Sequence, residues 1–117
     1  MDKSEIGQQA EKRACQFLQQ KGFMLRQCNY RCKQGEIDLV MQDADVLVFV
    51  EVRYRKSEYF GSGAETIDSH KQKKLILSAN HYLSTQAKHD HACRFDVVSL
   101  SGPLQSCTID WIPDAFD

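Results

Sequence analysis

Apolar and polar positions change period several times along the chain, and each change marks an element. Ile6, Ala10, Ala14, Phe17 and Leu18 recur at helical spacing, which predicts an amphipathic helix over residues 4–21 that Gly22 stops. Residues 23–30 follow as a strand with Met24, Cys28 and Tyr30 on one face, and Arg31-Cys32-Lys33-Gln34-Gly35 makes a polar turn. Two more strands lie between Gly35 and Arg55, joined by a turn at Asp43, Ala44 and Asp45. In the first of these, Glu36 and Asp38 share a face and Ile37 and Leu39 point the other way. The second opens with Val46-Leu47-Val48-Phe49-Val50, apolar throughout, as in a strand buried on both faces. It then alternates, with Glu51, Arg53 and Arg55 on one face and Val52 and Tyr54 on the other. A second helix is predicted from Asp68 or Ser69, either of which can cap it, to about Ser84, with Leu75, Ile76, Ala79, Tyr82 and Leu83 as its apolar face. Residues 93–100 form the next strand, with Phe95 and Val97 on one face. After a turn at Ser101-Gly102-Pro103, residues 106–112 give a short last strand that Pro113 ends, leaving 114–117 as a tail.

The order helix, three strands, helix, strand, strand predicts an α/β fold, a mixed sheet with a helix on each side. A chain of 117 residues is large enough for one core, so residues 1–117 are expected to be a single domain. No apolar run reaches the length of a membrane span, and the N-terminal segment MDKSEIGQQAEKR lacks the apolar centre of a signal peptide. A cytoplasmic protein with no membrane partner is expected. The five cysteines then read as free thiols. A net charge of −1 supplies no global attraction for nucleic acid, but cations gather locally at Arg31 and Lys33, at Arg53, Arg55 and Lys56, and at Lys71, Lys73 and Lys74.

A carboxylate directly after a fully apolar run is costly to bury unpaired, so Glu51 calls for a cation, a metal or a cleft beside it. If the two central strands pair around their turn, Asp38 converges on Glu51, with Arg53 about 6 to 7 Å further along. Two carboxylates and a cation at one sheet edge point to a divalent-metal site. Elsewhere the reading is plainer. Glu11 borders the apolar stripe of the first helix, and periodicity alone favours a solvated side chain there. Lysines in the first turns of the second helix oppose the helix dipole, a conflict that a bound phosphate would relieve, although solvated lysines are the simpler reading. Residues 56–66, with Tyr59, Phe60, Gly61 and Gly63, read as a loop beside the site whose aromatic rings can stack on a base or pin the loop. Cys28-x3-Cys32, and His89-Asp90-His91 before Cys93, lack a second cluster at metal-ligand spacing and are read as structural.

Gly35-Glu36-Ile37-Asp38-Leu39, Val48-Phe49-Val50-Glu51-Val52-Arg53 and Arg94-Phe95-Asp96-Val97-Val98 resemble the signature of the YraN family, and Gly7-x-x-Ala10-Glu11 and the Lys71–Leu83 helix extend the resemblance over nearly the whole chain. That family is similar to archaeal Holliday junction resolvases and belongs with the PD-(D/E)XK nucleases. The resemblance implies a restriction-endonuclease-like αβββαβ core and, for Asp38 and Glu51, binding of magnesium or manganese. It matches Glu11 to an additional glutamate on the first helix of resolvases. It also implies contacts to nucleic acid, expected to be DNA, from Arg55, Lys56, Lys71, Gln72 and Lys74. Resolvases act as dimers, which raises the expectation of a homodimer, although no self-complementary patch is legible. Arg53 occupies the position of a lysine in that superfamily. Arginine keeps its proton, so it cannot serve as a general base, but it can stabilise charge on a pentacovalent phosphate.

Three readings follow. A metal-dependent nuclease for structured or branched DNA accounts for the carboxylates and the cations around them. A nucleic-acid-binding adaptor with little or no catalysis accounts for Arg53 and the near-neutral charge. A plain surface ion-pair network accounts least well for a carboxylate at the end of a buried strand.

Overall fold

The computed structural model describes residues 1–56, 67–86 and 92–116. The loop expected over residues 57–66, the histidines at 89 and 91 with Asp90, and Asp117 therefore lie outside the described residues. Helix α1 spans Lys3–Gln20, capped by the Asp2 carboxylate, which accepts the Glu5 N–H at 2.9 Å. Strands β1 (Met24–Cys32), β2 (Gly35–Asp43) and β3 (Val46–Arg55) follow, then helix α2 (Ser69–Thr85) and strands β4 (Ala92–Ser101) and β5 (Thr108–Phe116). The five strands form one sheet in the order β1-β2-β3-β4-β5. Neighbours are antiparallel except β3 and β4, which run parallel on either side of the α2 crossover. This is a mixed α/β fold, compatible with a restriction-endonuclease-like core.

The apolar run of β3 explains how the two helices sit. Val48 and Val50 pack with Ala14, Cys15 and Leu18 of α1, while Leu47 and Phe49 pack with Leu75, Ala79 and Tyr82 of α2. Alternate residues of one strand thus meet different helices, so α1 and α2 cover opposite faces of the sheet. Burying each of the valine, leucine and phenylalanine side chains among them contributes about 1.5–3 kcal/mol.

The strict alternation expected for β1 and β2 fails at one level of the sheet. Ile37 packs on the α2 side and Leu39 on the α1 side, so they do not share a face. In β1, Tyr30 packs on the α2 side, Cys28 lines a hollow with Cys15 and Leu39, and Met24 is 61% exposed. The residues responsible are Asn29, held at φ 52°, and a register shift between Leu25 and Gln27. A second correction falls in β5, which continues through Pro113 to Phe116 instead of ending at the proline. The register with β4 slips between Phe95 and Val97, Asp114 adopts φ 51°, and its N–H is taken by the Asp96 carboxylate at 2.9 Å. Pro113 is tolerated because β5 is an edge strand with a bulge there. Beyond it, Phe116 stacks on Phe95 with ring centroids 4.8 Å apart.

Candidate functional site

β2 and β3 pair from Asp43–Val46 up to Leu39–Val50, and there the pairing stops, while β3 continues beside β4 as far as Arg55–Ser101. The two strands fork, with Asp38 and Glu51 the first residues past the last paired position. Asp38 Oδ2 accepts the Val52 N–H at 2.8 Å, so a side chain takes over where the backbone ladder ends. The change of pattern from apolar run to alternation is the sequence signature of this fork.

The two carboxyls lie close enough to share a proton. Burial raises Glu51 most, the negative charge of Asp38 adds to it, and the proton it holds goes into the bond to Asp38; together these push Glu51 up to about 8. Asp38 is also raised, chiefly by burial, although the bonds from Glu51 and from the Val52 N–H act against this. Lys71 pairs with Glu51, its Nζ 3.4 Å from Glu51 Oε2. Its ammonium lowers both half-buried carboxyls but does not outweigh their burial.

Glu11 is placed differently from its expected solvated position. It lines a cleft with Asp38, Val52 and Tyr54, and its carboxyl is raised by burial first and by the charge of Asp38 second. A hydrogen bond from Asn29 works in the opposite direction. Asn29 was not legible as a site residue. Its only signal is an asparagine inside a strand pattern, a residue type that tolerates the left-handed conformation it adopts here.

Arg53 lines a second cleft, on the α2 side, with Glu51, Ile67, Asp68 and Lys71. Gln72 turns its amide back to donate to the Ile67 carbonyl at 2.8 Å. Lys74 is exposed where α2 crosses Gly35, and a methyl group on Gly35 would meet Ser78 Oγ at 3.3 Å. Arg55 sits at the end of β3, its carbonyl accepting the Gly102 N–H at 3.0 Å. Lys56 lines another hollow with Met1, Ile6 and Leu104. The fork thus brings together Asp38, Glu51, Arg53, Lys71 and, from the α1 side, Glu11; Gln72 is bonded to the helix start, and Lys56 faces the α1 side.

A divalent cation suits the donor set because it would replace the shared proton with charge that two carboxylate oxygens can ligate directly. Asp38 and Glu51 are the residues that would hold it. Among the described residues, no three His, Cys, Asp or Glu side chains are close enough to form an ion site on their own. Oxygens from water or substrate would have to complete the shell.

The model of the uncharacterised protein family UPF0102 matches residues 10–100. A UPF0102 protein of Nitrosococcus oceani is 47% identical over 94% of this chain and 90% of its own length. One of Hahella chejuensis is 48% identical over 96% and 90%, and one of Pseudomonas syringae pv. syringae is 44% identical over 98% and 95%.

Proposed function

The chain belongs to the UPF0102 family, the YraN family, and we propose that it is a nucleic-acid-binding protein, a metal-dependent endonuclease acting on structured or branched DNA as one nuclease-like domain. The observation that carries this reading is the Asp38–Glu51 pair at the fork, two half-buried carboxyls side by side, both raised by burial, with Lys71 against Glu51. Magnesium or manganese held there would supply Lewis acidity at a scissile phosphate and neutralise its oxygens. Arg53 keeps its proton and donates hydrogen bonds to phosphate oxygens on which negative charge develops. Lys71 adds a second positive charge in the same cleft. Glu11, across the sheet, orders water next to Asp38. Lys74, Arg55 and Lys56 supply backbone contacts to DNA whose strength falls steeply with salt.

The second reading, a DNA-binding adaptor of the same fold with little catalysis, is favoured by Arg53 itself, which cannot accept a proton from water. No described helix is long and apolar enough to cross a membrane, and a cytoplasmic location is proposed with this function. A homodimer, as in resolvases, belongs to the same proposal.

The two readings separate in a cleavage screen of branched, flapped and single-stranded DNA with magnesium or manganese. The nuclease reading predicts cleavage that Asp38→Ala and Glu51→Ala each abolish while the fold survives. Binding without cleavage, unchanged in Glu51→Ala, would establish the adaptor instead. Arg53→Lys is expected to raise cleavage if arginine restrains the site.

A further inference from the structure

Lys71 has an unfavourable placement until its partner is considered. It lies in the first turn of α2, where the helix dipole disfavours a cation. Its backbone is fixed on both sides: the Asp68 carboxylate accepts the Lys71 N–H at 2.8 Å, and Gln72 is tied to the Ile67 carbonyl. From this anchored position the side chain reaches Glu51, 3.4 Å away. The two ends of that contact differ in environment, since the Glu51 side chain is 12% exposed and that of Lys71 is 42% exposed. The carboxylate is the enclosed end of the contact and the ammonium the solvent-accessible one.

We propose that Lys71 is the resident counter-ion of the carboxylate pair, holding the place of a divalent cation, and that it must leave Glu51 before such an ion binds. The proposal rests on reading Asp38 and Glu51 as metal ligands. Charge accounting favours it. Fully ionised, the pair carries two negative charges, which a divalent ion balances alone. With that ion bound, the ammonium is surplus at Glu51 and better placed against a phosphate in the cleft it shares with Arg53. The displacement itself makes and breaks no covalent bond: the ammonium exchanges its contact with Glu51 for solvent or phosphate as the ion enters.

Manganese binding by calorimetry tests this on the full chain, comparing the parent with Lys71→Met, Lys71→Arg and Asp38→Ala. Loss of the competing ammonium should tighten binding roughly two- to fivefold in Lys71→Met, more at low salt, and Lys71→Arg should restore the parental affinity. Side-chain nitrogen NMR gives a readout without catalysis: the Lys71 ammonium signal should shift towards that of solvated lysines when magnesium is added, and should already be there in Glu51→Gln. Equal or weaker binding by Lys71→Met, with binding still abolished in Asp38→Ala, would overturn the counter-ion role and leave the metal site standing. Absence of Asp38-dependent binding in both the parent and Lys71→Met would overturn both.

Discussion

The molecule buries acidic groups in two places and treats them in opposite ways. Asp96 on β4 has no exposed surface, and its carboxylate accepts four hydrogen bonds: Arg94 Nε at 3.0 Å and the second guanidinium nitrogen at 3.4 Å, Trp111 Nε1 at 3.0 Å and the Asp114 N–H at 2.9 Å. Asp38 and Glu51 are less buried, and what meets them is the Val52 N–H on Asp38, the Lys71 ammonium on Glu51, and each other. Depth therefore does not distinguish a structural carboxylate from a functional one. What distinguishes them is whether the surrounding protein completes the shell of donors. Around Asp96 it does, and the result ties β5 to β4 across a bulge. At the fork both carboxyls stay raised by burial despite the Val52 N–H and the Lys71 ammonium, and a cation or a phosphate-bearing ligand with its metal would favour their ionised form.

The largest effect expected from this contrast is on Asp96. Asp96→Ala leaves the Trp111 indole N–H and the Asp114 N–H without their acceptor and the Arg94 guanidinium with Asp43 alone, 3.6 Å away, and should cost about 3–5 kcal/mol in denaturant unfolding. Asp38→Asn and Glu51→Gln, by comparison, should leave metal-free stability unchanged or improved. Trp111→Phe removes a single donor to a charged acceptor and should cost about 1.5–3 kcal/mol by the same measurement, part of it lost packing against Phe17 and Phe23. The smallest effect per step is a pH dependence. Glu51 is raised from its ordinary value near 4.5 to about 8, so between those values the folded chain holds a proton that the unfolded chain has released. Its favourable contribution is complete below about 4.5 and is lost as pH rises through about 8, at up to about 1.4 kcal/mol per pH unit. Thermal unfolding of metal-free protein across that window should show the decline, and Glu51→Gln should flatten it. A parent whose stability rises over the same window would break the comparison, because it would mean that the fork carboxylates are as well satisfied as Asp96.

Much of this was legible in the chain. The helices follow from apolar spacing, the covered central strand from Val46–Val50, and the site from the change of pattern at Glu51 and the acid at Asp38. The two errors in strand geometry are alike in kind, each falling where a residue takes a positive φ, Asn29 opposite Asp38 and Asp114 opposite Asp96, and the neighbouring carboxylate accepts a backbone N–H. At the fork Asp38 captures the Val52 N–H, and at the β4–β5 bulge Asp96 captures the Asp114 N–H. Each replaces a rung of the ladder with a side-chain bond between residues well apart in sequence. Local periodicity carries no trace of such a bond, so Ile37 and Leu39 were placed on one face and β5 was ended at Pro113. Periodicity alone left Glu11 in solvent, and only the family resemblance set it at the site, for a related reason: helical spacing places it beside the apolar stripe, but its environment depends on Asn29 and Asp38 arriving from the sheet.

The most direct test of the central claim is titration calorimetry with magnesium and manganese, on the parent, Asp38→Ala and Glu51→Ala, with and without a DNA ligand. Binding in the parent that is lost in both variants is the predicted result and would justify the search for a cleavable substrate. Absence of binding in the parent, even with DNA present to complete the coordination, would contradict the metal site and leave a protein that binds nucleic acid without catalysis as the remaining account.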